Sequence, residues 1–320
     1  MTAPPAEFDL VERIRRRAGH RADVVLGIGD DAAVLDLPAG RQLVVAMDTL
    51  NEGVHFPAGT DAAAIGWKAL AVNLSDLAAM GAEPAWCTLS LVLPEADAAW
   101  LDGFLDGFCE LAALHGVALV GGDTTRGPLS VCVTVHGFVE PGRALRRDGA
   151  RVGDDVWASG TLGDAAAALP AVLQGRDVAA SLRMRLERPT PRIALGRALA
   201  AIACSCIDVS DGLLADVAHI ARASGVAIEI DVDALPASAA LHALDVETRR
   251  LCQATGGDEY ELCFTAPTTA RPDVEAAALA SGVRITRIGR VVEGQGAQAV
   301  DADGRVWAPR RIGHVHFAGS

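Results

Sequence analysis

Six aspartates sit in short polar stretches that interrupt apolar runs. They are Asp31 in Gly29-Asp30-Asp31, Asp48 in Met47-Asp48-Thr49, Asp76 in Asn73-Leu74-Ser75-Asp76, Asp123 in Gly121-Gly122-Asp123-Thr124, and Asp208 and Asp211 in Asp208-Val209-Ser210-Asp211. Taken singly, each stretch reads as a turn or a helix cap. Taken together, converging carboxylates carry more negative charge than a site can hold unless protons or cations neutralise it. Donors that are all oxygen select Mg²⁺ or Ca²⁺ over zinc. Asp208 and Asp211 flank Ser210, a good N-cap, and Leu213, Val217 and Ile220 follow at helical spacing. A helix start bearing two carboxylates either caps itself or holds cations for a phosphate.

Around these acids stand other polar groups with two readings each. Gly121 and Gly122 make either a plain turn or a set of amides facing a phosphate. His55 follows the Asp48 stretch and is structural by default, functional by position. Gly256-Gly257-Asp258-Glu259-Tyr260-Glu261 leads into a strand with solvated or ligand-contacting acids. Arg146 and Arg147 are surface residues or a phosphate clamp. The single lysine, Lys68, is in no glycine-rich loop, and no G-x-x-x-x-G-K-[ST] motif occurs, so a nucleotide must be held by metals, amides and arginine. No G-x-S-x-G elbow or Cys–His pairing suggests a covalent nucleophile.

The elements that must position these groups alternate between strand-like and helix-like segments, an α/β pattern. Helices are expected over residues 8–17, 61–80, 95–115, 163–173, 192–202, 211–223 and 272–281. Strands are expected over residues 42–47 (ending at Asp48), 85–93, 117–121, 129–139, 155–159, 205–208, 226–231, 259–265 and 284–290. A hairpin over 297–307 turns on Asp303-Gly304. The polar segment 141–155 marks a domain junction, which divides the chain into 1–142 and 143–320.

Composition limits the partners. Hydrophobic residues make up 51% of 320, enough for two cores. A net charge of -13 and a pI near 5.0 argue against nucleic acid or an anionic membrane as the main partner. No secretory h-region or membrane-spanning run is present, so a cytoplasmic protein is expected. Seven scattered cysteines read as reduced core residues rather than zinc ligands.

Six motifs carry a resemblance: GIGDDAAVL, MDTLNEGVHF, AVNLSDLAAMGAEP, GGDTTRG, IDVSDGLLADVAHIA and GGDEYELCF occur in this order. From about residue 7 to 317 the chain resembles the thiamine-monophosphate kinase family, in a superfamily with aminoimidazole ribonucleotide synthetase and selenophosphate synthetase. The resemblance implies a two-domain α/β fold whose N-terminal domains pair as a homodimeric β-barrel. It implies ATP between the domains, several Mg²⁺ ions, and transfer of the γ-phosphoryl group to thiamine monophosphate. Asp31, Asp48, Asp76, Asp123, Asp208 and Asp211 match metal positions. Ala46 and Met47 replace the usual hydroxyl residues, leaving only their backbone carbonyls as donors. Gly122, Asp123, Arg147 and Ser210 match positions that hold ATP. His55 and Asp258 match substrate positions, Asp258 standing where the family has Glu, and His314, with Phe317 nearby, matches the residue that covers the thiamine. The alternative is a sister enzyme of the aminoimidazole ribonucleotide synthetase kind. A nucleotide- or cation-binding protein without turnover is a third reading, opposed by the six intact acids.

Overall fold

The structure is a computed structural model that describes residues 7–314. The chain divides into two compact units, one of residues up to Leu77 and Ala82–Gly142, the other of Ala78–Gly81 and everything from Arg143 onward. The architecture is mixed α/β in two domains.

The first unit runs α1 (Glu7–Arg17), β1 (Val24–Leu26), β2 (Val34–Leu35), β3 (Gln42–Asn51), α2 (Ala62–Ala79), β4 (Glu83–Leu93), α3 (Ala98–His115), β5 (Ala118–Arg126) and β6 (Ser130–Val139). Its sheet has the order β3-β6-β4-β5. Only β4 and β5 pair in parallel, with α3 as the crossover between them. Register sets Leu91 against Val131, Leu89 against Val133 and Cys87 against Val135. All six are buried on one face, and α2 covers that face, Leu77 lying against Gly137. Helices α2 and α3 meet through glycines: a Cβ on Gly66 would lie 2.0 Å from the Phe104 carbonyl oxygen, and one on Gly107 would lie 1.9 Å from that of Ala63.

The opposite face is covered at one end only. There β1 and β2 bring Val24, Ala33 and Leu35 onto Ala85, Trp86, Ala118, Val120 and Phe138, with Trp86 and Phe138 edge to face at 5.1 Å. Beyond them β3 exposes Leu43, Val45 and Met47 (46%, 54% and 61%). The sheet is open within the single chain.

The second unit runs β7 (Asp155–Ser159), α4 (Asp164–Leu173), α5 (Ala180–Glu187), α6 (Ile193–Leu199), β8 (Ser205–Asp208), α7 (Leu213–Ser224), β9 (Ala227–Asp231), α8 (Val246–Thr255), β10 (Leu262–Ala266), α9 (Arg271–Ser281), β11 (Ile285–Val292), β12 (Gly296–Val300) and β13 (Val306–Trp307). The sheet order is β13-β12-β9-β11-β7-β10-β8, antiparallel except for β12 and β9. Central β7 is buried along its length, which is why it reads as continuous rather than alternating apolar residues. On one face Val156, Ala158, Ile207, Cys263 and Ile288 meet Leu213, Val217 and Ile220 of α7. Away from that cluster, Trp157 stacks on Phe264. The hairpin turn at Asp303-Gly304 is present, with Gly304 at φ 76°.

Two sequence expectations are corrected. Strand β3 does not end at Asp48 but continues to Asn51, paired with β6 to Ser130. The Gly121-Gly122-Asp123-Thr124 stretch is not a turn but the middle of β5. Its glycine serves close strand packing, since a Cβ on Gly122 would lie 1.8 Å from the Leu89 carbonyl oxygen. Helices α5 and α8 were not expected, and α6 ends at Leu199 rather than near 202.

Candidate functional site

In the first unit, the Asp48 backbone on β3 is tied to Asn73 on α2, the helix that also carries Asp76. The Asp48 N–H points off the sheet edge and donates to Asn73 Oδ1 at 2.8 Å. Asn73 is fully buried and is fixed in turn by its Nδ2 donating to the Ala69 carbonyl at 2.9 Å. Asp76 lies one turn further along α2 on the same side. Backbone alternation then directs the Ala46 carbonyl outward with that of Asp48 and turns the Met47 carbonyl toward Thr134 of β6. Of the two carbonyl donors, Ala46 is the one presented at the edge.

The remaining acids of this unit stand apart. Asp31 occupies the exposed loop between β1 and β2, where its N–H donates to Asp30 Oδ1 at 2.8 Å and Gly29 adopts φ 126°. Gly122 and Asp123 lie on β5, at the far edge of the sheet from β3. Asp48, Val133, Leu89 and Gly122 form one cross-strand row. Three strand spacings put Asp48 about 14 Å from that edge, too far for Asp48 and Asp123 of one chain to share an ion.

His55 sits in the turn after β3. The Asn51 N–H donates to its Nδ1 at 3.0 Å, which makes Nδ1 the acceptor and leaves the ring proton on Nε2. Lys68, the single lysine, is buried and donates to the His55 carbonyl at 3.2 Å.

In the second unit the structure gathers Asp208, Ser210, Asp211, Asp258 and His314. Strand β8 ends at Asp208, which is 5% exposed. Ser210 is not the N-cap of α7; Gly212 is, with no side-chain cap. The reason is Asp216 in the first turn, whose Oδ2 accepts the N–H groups of Ser210 (3.0 Å), Asp211 (3.2 Å) and Gly212 (3.1 Å). Those amides are therefore satisfied internally and leave Ser210 exposed. Burial, with the Asp208 and Asp211 charges, pushes the Asp216 carboxyl up to about 7 against the lowering effect of its backbone bonds. Asp208 and Asp211 are also acids of this turn, and a hard cation held by them would offset their charge.

The Gly256-Gly257-Asp258-Glu259-Tyr260-Glu261 segment runs against this turn. Asp258 N–H donates to the Ser210 carbonyl at 2.9 Å, Tyr260 N–H to Val209 at 2.8 Å, and Val209 N–H to Glu261 at 2.8 Å. A Cβ on Gly257 would lie 2.5 Å from the Ser210 carbonyl oxygen. Asp258 (φ 64°) and Tyr260 (φ 52°) are the two non-glycine residues with positive φ among those described, each costing about 1–2 kcal/mol.

Glu261 on this segment is fully buried. It receives Ser159 Oγ at 2.5 Å, Arg185 Nη2 at 2.8 Å and Arg192 Nε at 2.6 Å. Glu259 is also buried and accepts the Ala165 N–H at 3.2 Å. Desolvation raises its carboxyl to about 8, the Arg185 charge opposing. From the other side, residues 313–314 cross the start of α7, where the His314 N–H donates to the Asp211 carbonyl at 2.8 Å. Phe317 lies outside the described residues.

Arg147 is exposed, and its carbonyl accepts Ser224 Oγ at 2.9 Å. Burial, then the Arg147 and Arg222 charges, lowers the His219 pKa, which sets Arg147 near the middle of α7. Arg146 instead pairs with Asp148. Sequence reading missed Asp216, His219, Tyr260 and the Glu261 pairs. Of these, only Asp216 had a signal, an acid in the first turn of a helix.

Carboxylates on β3, β5, the end of β8, helix α2 and two loops, in two α/β units without a phosphate loop, agree with a two-domain AIR-synthase-related protein. The family model of AIR synthase related protein, N-terminal domain, matches residues 29–139, and its C-terminal domain counterpart matches residues 151–302. Over 294 residues the chain is 48% identical to the thiamine-monophosphate kinase of Salmonella typhimurium, covering 89% of this chain and 90% of that one. The crystal structure of thiamine-monophosphate kinase from Stenotrophomonas maltophilia superposes with a TM-score of 0.87 at 55% identity, over 94% of this chain and 98% of that one. A solved chain described as AaThiL complexed with AMPPCP and TMP superposes at 0.76 with 34% identity, over 97% of each. The chain belongs to the thiamine-monophosphate kinase family.

Proposed function

We propose that this protein converts thiamine monophosphate and ATP to thiamine diphosphate and ADP by direct transfer of the γ-phosphoryl group. The supporting observation is near-full-length identity of 45–48% to thiamine-monophosphate kinases, with a relative that was solved holding AMPPCP and TMP. The acceptor needs little activation. A phosphate monoester has its second pKa near ~6, so its terminal oxygen is already anionic at neutral pH. That oxygen attacks the γ-phosphorus in line, and the bond to the β–γ bridging oxygen breaks. No strong general base is required, and none of the candidate residues is assigned that role.

The difficulty is repulsion between two polyanions. The donor chemistry suits Mg²⁺, since Asp31, Asp48, Asp76, Asp123, Asp208 and Asp211 and the Ala46 carbonyl are all hard oxygen donors, although among the described residues no three acids or histidines are gathered into one group that could hold a metal ion; bound there, it would neutralise the phosphates. In this reading Gly122, Asp123, Arg147 and Ser210 hold ATP, the Arg147 guanidinium reaching its phosphates. His55, Asp258 and His314 hold thiamine monophosphate. A carboxylate without a bridging cation repels a phosphate, and Asp258 is not among the metal positions, so it is assigned to the thiamine end.

The working form in this reading is a homodimer. Supporting it are the exposed apolar face of β3 and the separation of Asp48 from Asp123 within one chain. A second open sheet meeting the first edge to edge closes a barrel and supplies the partner subunit's Asp123 to Asp48. Among the described residues no helix is long and apolar enough to cross a membrane, which is compatible with the cytoplasmic placement that we propose.

The test is ADP release with MgATP and, separately, thiamine monophosphate, thiamine or an aminoimidazole precursor, with products identified by mass. Thiamine diphosphate formed only from thiamine monophosphate is the expected result. Turnover with another acceptor alone contradicts the assignment.

A further inference from the structure

We infer that Tyr260 is a positioning residue for the acceptor substrate, acting through Asp258; this rests on the kinase reading above. The Tyr260 hydroxyl donates to Asp258 Oδ1 at 2.9 Å, while its ring is buried. Tyr260 cannot drift, because both neighbours in the chain are anchored inside the domain. Glu261 is clamped by Arg185, Arg192 and Ser159, and Glu259 points back to the start of α4 through the Ala165 N–H. Two inward anchors flanking one residue force the left-handed backbone at Asp258 and Tyr260. Backbone in that region persists only where its surroundings over-determine it, and such places gather at ligand sites.

The consequence is a partly exposed carboxylate held at a fixed height over the Ser210–Asp211 turn. The backbone bond from Asp258 to Ser210 sets its base, and the Tyr260 hydroxyl sets the rotamer of its tip. An Asp side chain at a half-exposed site otherwise samples several rotamers. A carboxylate accepts several hydrogen bonds, so Asp258 held by the hydroxyl still has acceptor capacity for the amino group on the pyrimidine ring of thiamine monophosphate. Tyr260 therefore governs acceptor affinity and has no part in the phosphoryl transfer itself.

The variant Tyr260→Phe removes the hydroxyl and keeps the ring. Loss of one hydrogen bond that fixes the carboxylate predicts a KM for thiamine monophosphate raised about fivefold. The kcat at saturating acceptor and the KM for ATP are expected to stay within about twofold. In an Asp258→Ala background the same change is expected to do nothing further, because the carboxylate it positions is gone. An active wild type whose acceptor KM is unmoved by Tyr260→Phe overturns this inference alone. So do two effects that multiply in the double variant. A wild type that forms no thiamine diphosphate overturns the kinase reading beneath it.

Discussion

Asp48 and Asp211 serve opposite units of the chain, and neither side chain supports a core. Asp48 is exposed and Asp211 half-exposed. Replacing either by Ala should leave circular dichroism and melting unchanged while lowering kcat about 100-fold or more. Near-normal turnover in either purified variant contradicts its assignment. Glu259 behaves differently. Its carboxyl is about 8 in the fold against ~4.3 in an unfolded chain. The native state keeps a proton between those values that the unfolded state releases. Its contribution is therefore intact below about pH 4 and lost as pH rises through about 8. Thermal midpoints at pH 5 and pH 8.5 should show a fall in the wild type that Glu259→Gln flattens. An equal slope in both proteins would remove Glu259 as the cause.

Among the elements, the sharpest test is the crossing of α2 and α3. Helix propensity alone favours Gly107→Ala by ~1 kcal/mol. Packing opposes it, because the new methyl would sit 1.9 Å from the Ala63 carbonyl oxygen, and forced overpacking costs about 1–3 kcal/mol or more. The net change should be destabilising, read as a lower urea midpoint; a stabilised variant would show that the two helices can part. Most elements were legible from periodicity and caps. Residues 155–159 and 205–208 agree with β7 and β8 residue for residue, and Asp97 and Gly116 close α3 as cap chemistry requires. The strands through Asp48 and Asp123 were cut short because polar and glycine residues imitate turns. Their continuity depends on register with β6 and β4, which is non-local information. Helix α8 was overlooked although Asp245 accepts the Thr248 N–H, a cap that was visible in the sequence. The six acids could be picked out from their motifs, but the sequence did not show which of them the fold sets side by side. The clamp behind Asp258 was not, since Glu261, Arg185, Arg192 and Ser159 are far apart in sequence and meet only through folding.

In the molecule as a whole, Asp48 and Asp123, on opposite edges of one sheet, serve one site in the proposed reading. The proposed homodimer would account for that and is testable without a structure. Asp48→Ala and Asp123→Ala chains, each inactive alone, should regain roughly a quarter of the wild-type rate after mixing and subunit exchange. Half of the dimers are then mixed, and each mixed dimer has one intact site. No recovery, with exchange verified by mass, places both acids in one chain's site. Light scattering should likewise give twice the mass of one chain, and Val45→Glu on the exposed β3 face should lower it to one. The central claim, direct transfer between two phosphates, is tested most directly with ATP labelled at the γ-phosphorus. With thiamine monophosphate present, the label should pass into thiamine diphosphate, one for each ADP formed, with none in inorganic phosphate. Label accumulating as inorganic phosphate, or thiamine diphosphate formed without it, would contradict the account.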